Sequence, residues 1–375
     1  MTAYLDMNAT SPVLKPVADL VYKLLIEDYG NAGSRTHEFG QKAKAAVTLA
    51  RKQVADVVNA DASEVIFTSG ATESNNIALL GLKDFGEREN KRHIITTRIE
   101  HKAVLEPIEQ LAKKDFKVSY LEVGESGVVD PNELASLLTE DTLFVSIMHV
   151  NNETGSIQPI EQICEVLRFS DAYLHVDAAQ SFGKISDSLK NERIDLISAS
   201  GHKVYAPKGV GALIMRKRGF IKPPLKPIMF GGGQEKGLRP GTLAVPLIAG
   251  FGLACEIAKK NEAEWQKHAQ SLKDSLVTEL DKVEAQYNGM NSSPFTLNFS
   301  VPGVNSESLM VALKGVAAFS NGSACTSSSY TPSHVLSAMG LEEDRIAGAV
   351  RLSWGSMTES LPINDILERI EQIRM

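Results

Sequence analysis

Short apolar runs alternate with helix-period stretches along the first two-thirds of the chain. Residues 64–68 (Glu-Val-Ile-Phe-Thr) predict a strand, and residues 73–82 a helix. A second strand is expected over 93–97, followed by a helix through 103–112. Further strands are expected over 143–147, 173–177 and 195–200, with a helix over 160–167. Strands separated by helical patterns predict a mostly parallel sheet with helices on both faces. Ligands of such sheets gather beyond the carboxyl ends of the strands, so the residues that end each apolar run are the first candidates for chemistry.

Near residue 245 the pattern changes. Pro246 opens a long helical stretch that runs past Trp265 to about residue 285, and its polar part from Lys259 reads as a solvated linking helix. Residues 295–300 and 351–354 alternate as half-exposed strands, which predicts a smaller α+β domain after a boundary near residue 260.

Composition narrows the class. The chain has 375 residues, enough for a large domain and a smaller one, with a formal net charge of −7. An acidic surface repels phosphate backbones, so no direct nucleic-acid partner is expected. No apolar run is long enough for a membrane span. The opening residues lack the basic and apolar stretches of a secretory leader, which makes the cytoplasm the expected compartment. Three widely spaced cysteines argue against a disulfide framework and against a cysteine-only zinc site, so no metal is expected.

Candidate chemistry clusters at strand ends. Ser200-Gly201-His202-Lys203 follows a predicted strand, with Lys208, Gly209 and Gly211 expected in a tight hairpin after it. A crowded lysine amine is partly neutral and forms imines with aldehydes, and pyridoxal 5'-phosphate (PLP) is the commonest aldehyde cofactor. Ser200 and His202 could donate to its phosphate. Alone, this tetrapeptide fits a surface lysine as well. Asp177 ends the strand before it, 26 residues earlier in the chain, and PLP needs a carboxylate beside its ring nitrogen. Gln180 could bond the ring oxygen, and a helix N-cap is the plainer role for Asp177. In 68–76 (Thr-Ser-Gly-Ala-Thr-Glu-Ser-Asn-Asn) a strand ends, Gly70 turns the chain and a helix begins. Helix N-termini attract anions, and a capping box is compatible with that role.

His101 follows another strand and could stack on a ring or move protons, although a structural histidine is the commoner case. Residues 149–155 (His-Val-Asn-Asn-Glu-Thr-Gly) could hold a carboxylate or form an ordinary asparagine-rich turn. Residues 230–234 and 238–242 read as a flexible glycine-rich loop, able to reach a neighbouring subunit or to be a plain connection. Cys164 and Cys255 share helix faces with apolar residues and read as core. Cys325 differs: it lies among small polar residues, 320–329, which predicts an exposed loop and an accessible thiolate.

Together these segments resemble the cysteine desulfurases, PLP enzymes of the aminotransferase fold type, over nearly the whole chain and in the family's order. The segments are 70–76, Glu100-His101, 149–155, 175–180, 200–203, 239–242, 322–326 and 351–353. The resemblance implies PLP-dependent transferase fold type I: a large domain over 14–260 with a mostly parallel seven-stranded-type sheet, and a small domain built from 1–13 and 261–375. It implies conversion of L-cysteine to L-alanine. Lys203 would hold PLP as an imine, Asp177 would pair with its ring nitrogen and Gln180 with its ring oxygen. Ala71, Thr72, Ser200 and His202 would bind the phosphate, and Thr242 would add a contact across a homodimer. His101 would stack on the ring and move protons, and Asn152 and Arg351 would grip the substrate carboxylate. Cys325 would carry the sulfur as a persulfide to an acceptor protein, and could ligate an iron–sulfur cluster transiently with such a partner.

The spacing from Cys325 to Ser333-His334 resembles the subgroup with a long catalytic loop. Residues 30–35, 230–234, 239–242 and 331–334 resemble the desulfurase of DNA phosphorothioation systems within it. Supply of iron–sulfur cluster assembly or tRNA thiolation is the alternative pathway. Aminotransfer, selenocysteine lysis and a non-enzymatic sulfur-relay scaffold are the alternative activities. Two segments depart from the family pattern: Leu5-Asp6-Met7-Asn8-Ala9-Thr10-Ser11-Pro12 and residues 30–34. Both are expected to line the site entrance, with no detailed role assigned.

Overall fold

The structure is a computed structural model that describes residues 2–321 and 332–374. Strand β1 (Ala3–Tyr4) opens the chain. Seven strands then form the main sheet: β2 (Val65–Thr68), β3 (His93–Thr97), β4 (Lys117–Leu121), β5 (Thr142–Met148), β6 (Tyr173–Asp177), β7 (Leu196–Ser200) and β8 (Gly211–Met215). Their order is β2-β8-β7-β6-β5-β3-β4. Every neighbouring pair is parallel except those of β8, which runs against both β2 and β7. The mostly parallel sheet read from the sequence is therefore present.

Neighbouring residues on each strand enter different cores. Phe67, Ile95, Val145 and Ile214 join a cluster with the helices Glu38–Val57 and Val245–Leu280. Ile66, Ile94, Phe144 and Leu213 join a second cluster with Ala71–Gly81 and Lys102–Ala112. A sheet covered on both faces needs apolar residues at successive positions, which is why β2 and β8 carry the unbroken runs Val-Ile-Phe and Ala-Leu-Ile-Met. One polar chain crosses its middle: His175 is bonded to Ser146 at 2.8 Å and to Ser198 at 3.0 Å. Burial pushes the His175 pKa down to about 4, so the ring is neutral.

The remaining strands are β9 (Gln286–Tyr287), β10 (Thr296–Ser300), β11 (Ala317–Ala318) and β12 (Val350–Ser353). A small antiparallel sheet has the order β12-β10-β9, and β1 pairs with β11. Its core takes Leu5, Leu297, Phe299, Val350, Leu352 and Trp354.

Three expectations need correction. Strands β10 and β12 are buried throughout, not half-exposed. Their polar positions face protein: Asn298 donates to the Glu153 carbonyl at 3.1 Å, and Thr296 bonds Asn8. Alternation thus marks a second buried contact instead of a wet face. The far part of Val245–Leu280 is likewise not simply solvated, because Ala269, Leu276 and Leu280 enter the small-sheet core. Finally, β7 and β8 are joined by residues 201–210, which include a 3-10 turn at Gly201–Lys203, and not by a tight hairpin. That longer connection is what carries Lys203 away from the sheet.

Candidate active site

The topology gathers the candidate segments by itself. Strands β3, β5, β6 and β7 are parallel, and β2 runs the same way because β8 is antiparallel to both β2 and β7. Their carboxyl ends therefore share one edge. Gly70, His101, residues 149–155, Asp177 and residues 200–203 all leave the sheet there.

Asp177 is the last residue of β6 and is 5% exposed. One carboxylate oxygen accepts from the Ala179 N–H at 2.9 Å, which caps a turn and not the helix that an N-cap role would require. The other accepts from the Asn75 side chain at 2.8 Å. Asn75 went unassigned in the sequence. Its signal was spacing: it lies one helical turn beyond Ala71, so the helix that starts at Gly70 also reaches the carboxylate.

Gly70 precedes Ala71–Gly81, whose N-terminus receives no side-chain cap. Free N–H groups and the helix dipole there favour an anion. A Cβ on Gly70 would lie 3.6 Å from the Ser200 hydroxyl, so the missing side chain leaves room beside Ser200. Thr72 is exposed on the first turn. His202 bonds Thr10 at 3.2 Å. Burial foremost, then Lys203, Lys208 and Lys184, push its pKa down to about 4, so it is a neutral donor or acceptor. Glu73 accepts from the Ser69 N–H at 2.5 Å and from Arg239 at 2.9 Å. The 230–242 loop is thereby tied to the cradle helix, and buried Glu235 in it pairs with Arg51 at 2.5 Å. It is more firmly held than its glycine content implied. Thr242, its last residue, is exposed.

Lys203 is half-buried, and its ammonium donates to the Ala9 carbonyl at 2.8 Å and to the Asn8 carbonyl. Gln180 donates to the same Asn8 carbonyl at 2.9 Å, while its own side-chain oxygen is buried and has no partner among the described residues. The Asp6–Ser11 segment is therefore part of the site and not only its entrance. Residues 30–34 are largely surface positions.

His101 caps the helix Lys102–Ala112, its Nδ1 accepting from the Ala103 N–H at 3.0 Å. Solvent reaches its ring, yet enough protein surrounds it that burial depresses its pKa, opposed by Asp177 and reinforced by Lys203 and His334. The preceding Glu100 is fully buried. One of its oxygens accepts from the Met148 N–H at 3.0 Å and from Thr97 at 2.9 Å, and the other has no partner among the described residues. Burial raises its pKa from 4.5 to about 8, with nearby Asp177 adding to the rise.

A stability profile should report that proton. Between about pH 5 and 8 the folded chain keeps a proton that the unfolded chain has lost, so stability should fall as pH rises, by up to ~1.4 kcal/mol per unit. Glu100→Gln keeps the acceptor and removes the titration. In urea melts at several pH values, that variant should show the slope flattened. An unchanged slope would assign it to other groups.

Asn152 and Arg351 meet through the backbone. The Asn152 carbonyl accepts from Arg351 at 3.0 Å and from Asn8 at 3.1 Å. Arg351 also pairs with Asp6 at 2.6 Å and is 6% exposed. Its Nε has no partner among the described residues. Beside them, Ser333 donates to buried Glu153 at 2.5 Å, and the His334 ring bonds the Glu100 carbonyl at 3.0 Å. Cys325 lies outside the described residues. Cys164 and Cys255 are buried and free, as expected, with burial pushing the Cys164 thiol up to about 12.

Proteins of similar sequence give the family. The aminotransferase class-V family model matches residues 3–363. The cysteine desulfurase IscS of Colwellia psychrerythraea is 44% identical over 373 residues, which is 98% of this chain and 91% of that protein.

The chain belongs to the class-V aminotransferase family.

Within it, the chain is a PLP-dependent cysteine desulfurase. Among solved structures, DndA from Streptomyces lividans is 51% identical, with TM-score 0.83, over 94% of this chain and 99% of that one. A structure of SspA in complex with cysteine is 36% identical, with TM-score 0.83, over 96% of this chain and 100% of that one. The desulfurase's own residues fit PLP. The space at Gly70 and the uncapped helix suit a phosphate, Asp177 suits a ring N–H, and the unpartnered Gln180 oxygen suits a hydrogen-bond donor beside the ring. Among the described residues, no helix is long and apolar enough to cross a membrane.

Proposed function

We propose that Lys203 holds PLP and moves the substrate's α-proton, and that the sulfur leaves as a persulfide on Cys325. The observation that carries this reading is the convergence at one sheet edge of Lys203, Asp177 with Asn75, and the Gly70–Ser200 cradle. Bound PLP supplies an aldehyde for the substrate amine and a ring that accepts the electrons of the α-carbon. The residues then divide the work. Ala71, Thr72, Ser200 and His202 hold the phosphate. Asp177 would keep the ring nitrogen protonated, and Gln180 would bond the ring oxygen. His101 would stack on the ring and relay protons, with a pKa that burial depresses. Arg351 and Asn152 hold the substrate carboxylate. Lys203, once its amine is free, has the Asn8 and Ala9 carbonyls as a resting place within reach of the site.

The Cys325 thiolate attacks the sulfur of bound cysteine. A sulfur–sulfur bond forms, the sulfur–carbon bond breaks, and its electron pair stays on the carbon, which takes up protons and leaves as L-alanine. An acceptor protein then receives the sulfur. Cys325→Ser should load PLP and bind cysteine, yet release neither alanine nor sulfide above background. Undiminished turnover by that variant would remove Cys325 from the reaction.

A homodimer with Thr242 reaching the neighbouring site belongs to the same proposal. The helix Lys15–Ile26 and the residues after it expose Tyr22, Leu25, Ile26 and Tyr29, apolar surface that a second copy would cover. For the destination of the sulfur we favour DNA phosphorothioation. The details in residues 30–35, 230–234, 239–242 and 331–334 support it, and identity to DndA (51%) exceeds that to IscS (44%). Supply of iron–sulfur assembly is the second reading, favoured by the IscS match over 98% of the chain. Persulfide transfer from the holoenzyme to purified acceptors of each kind separates them.

A further inference from the structure

The guanidinium assigned above to the substrate carboxylate already holds a carboxylate. Arg351 donates to Asp6 at 2.6 Å and to the Asn152 carbonyl at 3.0 Å, with only its Nε unpartnered among the described residues. The Arg351 side chain is 7% exposed and that of Asp6 24%, so water screens the pair only from the Asp6 side. A second carboxylate brought to the same buried cation meets a charge that is already neutralised, plus the repulsion of Asp6.

Asp6 is also fixed by its surroundings. It bridges to Ser353, two residues along β12 from Arg351, and its carbonyl accepts from the Ala9 N–H at 2.9 Å, closing a turn. That same turn presents the Asn8 and Ala9 carbonyls to the Lys203 ammonium. Asn8 ties it further to Thr296, at 2.9 Å, and to Ser353. The carboxylate on Arg351 and the carbonyls on Lys203 thus belong to one short stretch of backbone.

We propose that Asp6 is a positioning residue that acts as a built-in competitor of the substrate: its carboxylate occupies Arg351 when the amino-acid subsite is empty and must yield to an incoming α-carboxylate. The inference rests on the reading of Arg351 as the carboxylate holder. Displacing Asp6 loosens the Asp6–Ala9 turn, so entry of substrate at Arg351 also frees the surroundings of Lys203. Ligands without a carboxylate have nothing to exchange for Asp6 and gain nothing from its removal.

The test uses the PLP-loaded protein and two matched ligands, L-alanine and L-alaninamide, titrated against the visible absorbance of the cofactor. Asp6→Asn keeps the shape and removes the charge. It should bind L-alanine about fivefold more tightly or better, the scale of relieving one half-buried ion pair, and L-alaninamide within about twofold of the parent. The KM for L-cysteine should fall without a rise in kcat. Asp6→Glu retains the anion, so it should bind L-alanine no more tightly than the parent, which also covers the case in which Asp6→Asn fails to fold. Unchanged or weaker L-alanine binding in Asp6→Asn, equal tightening of both ligands, or tightening in Asp6→Glu would overturn the proposal. Arg351→Gln separates the underlying reading: it should lose most affinity for L-alanine, and parental affinity there would mean that Arg351 does not hold the carboxylate at all.

Discussion

Lys203→Ala should leave a folded protein with no visible cofactor absorbance and with desulfurase activity reduced on the order of a thousandfold or more. The size of the effect follows from the two tasks this amine would have, anchoring the cofactor and moving the α-proton. The structure adds a separate cost. Asn8 is buried, and alanine at 203 withdraws the ammonium that its carbonyl accepts from, while Gln180 still donates there. Loss of a charged donor to a buried carbonyl costs about 1–3 kcal/mol, so the melting temperature should fall below that of the PLP-free parent as well. Lys203→Arg tells the two apart. It keeps a cation beside the Asn8 and Ala9 carbonyls and should recover much of the stability, but it forms no imine and should recover neither absorbance nor turnover. Absorbance retained in Lys203→Ala would refute the assigned role.

Much of this architecture was legible because strands such as β2 are apolar at successive positions, and several strands end on, or run into, a polar residue. Asp177, Ser200 and His101 were found in that way, and the sheet order puts them on one edge. What the sequence hid was of two kinds. Strand β10 alternates Thr296, Asn298 and Ser300 with Leu297 and Phe299, a pattern that normally means one wet face. Here the polar face is buried against residues 8 and 153, and no local rule reveals a partner that distant in the chain. The other kind is backbone. Asn8 and Ala9 meet Lys203 through carbonyl oxygens, which every residue has, so no side-chain motif announces them. Asp6 was visible as a departure-bearing segment near the N-terminus, but its partner Arg351 lies 345 residues away. Asn75 is the instructive middle case, since its place one turn past the cradle could have linked it to the Asp177 carboxylate from spacing alone.

Asp177→Asn should retain PLP and lose activity by roughly a hundredfold to ten-thousandfold, a range typical of removing one electrostatic partner of the reacting centre. The anion is needed because a ring nitrogen stays protonated, and so able to accept electrons, only beside a carboxylate. The neighbours of Asp177 make the amide a poor substitute. Asn75 and the Ala179 N–H both donate to this side chain, one to each oxygen. An amide has a single acceptor oxygen, so one donor must be left facing an NH2 group, or the side chain must turn away from the ring. Asp177→Glu keeps the charge but lengthens the side chain, and should fall between the parent and Asp177→Asn. The same substitution makes a second, independent mark. Asp177 raises the Glu100 carboxyl pKa in addition to burial, so removing its charge should draw the Glu100 titration below about 8, and the pH-dependent loss of stability should begin to level off at lower pH. Activity within tenfold of the parent would deny Asp177 the ring-nitrogen role. An unmoved stability profile alongside lost activity would leave the chemistry intact but place the two carboxyl groups too far apart to sense each other, and urea melts of Asp177→Asn and Glu100→Gln across the same pH range distinguish the two results.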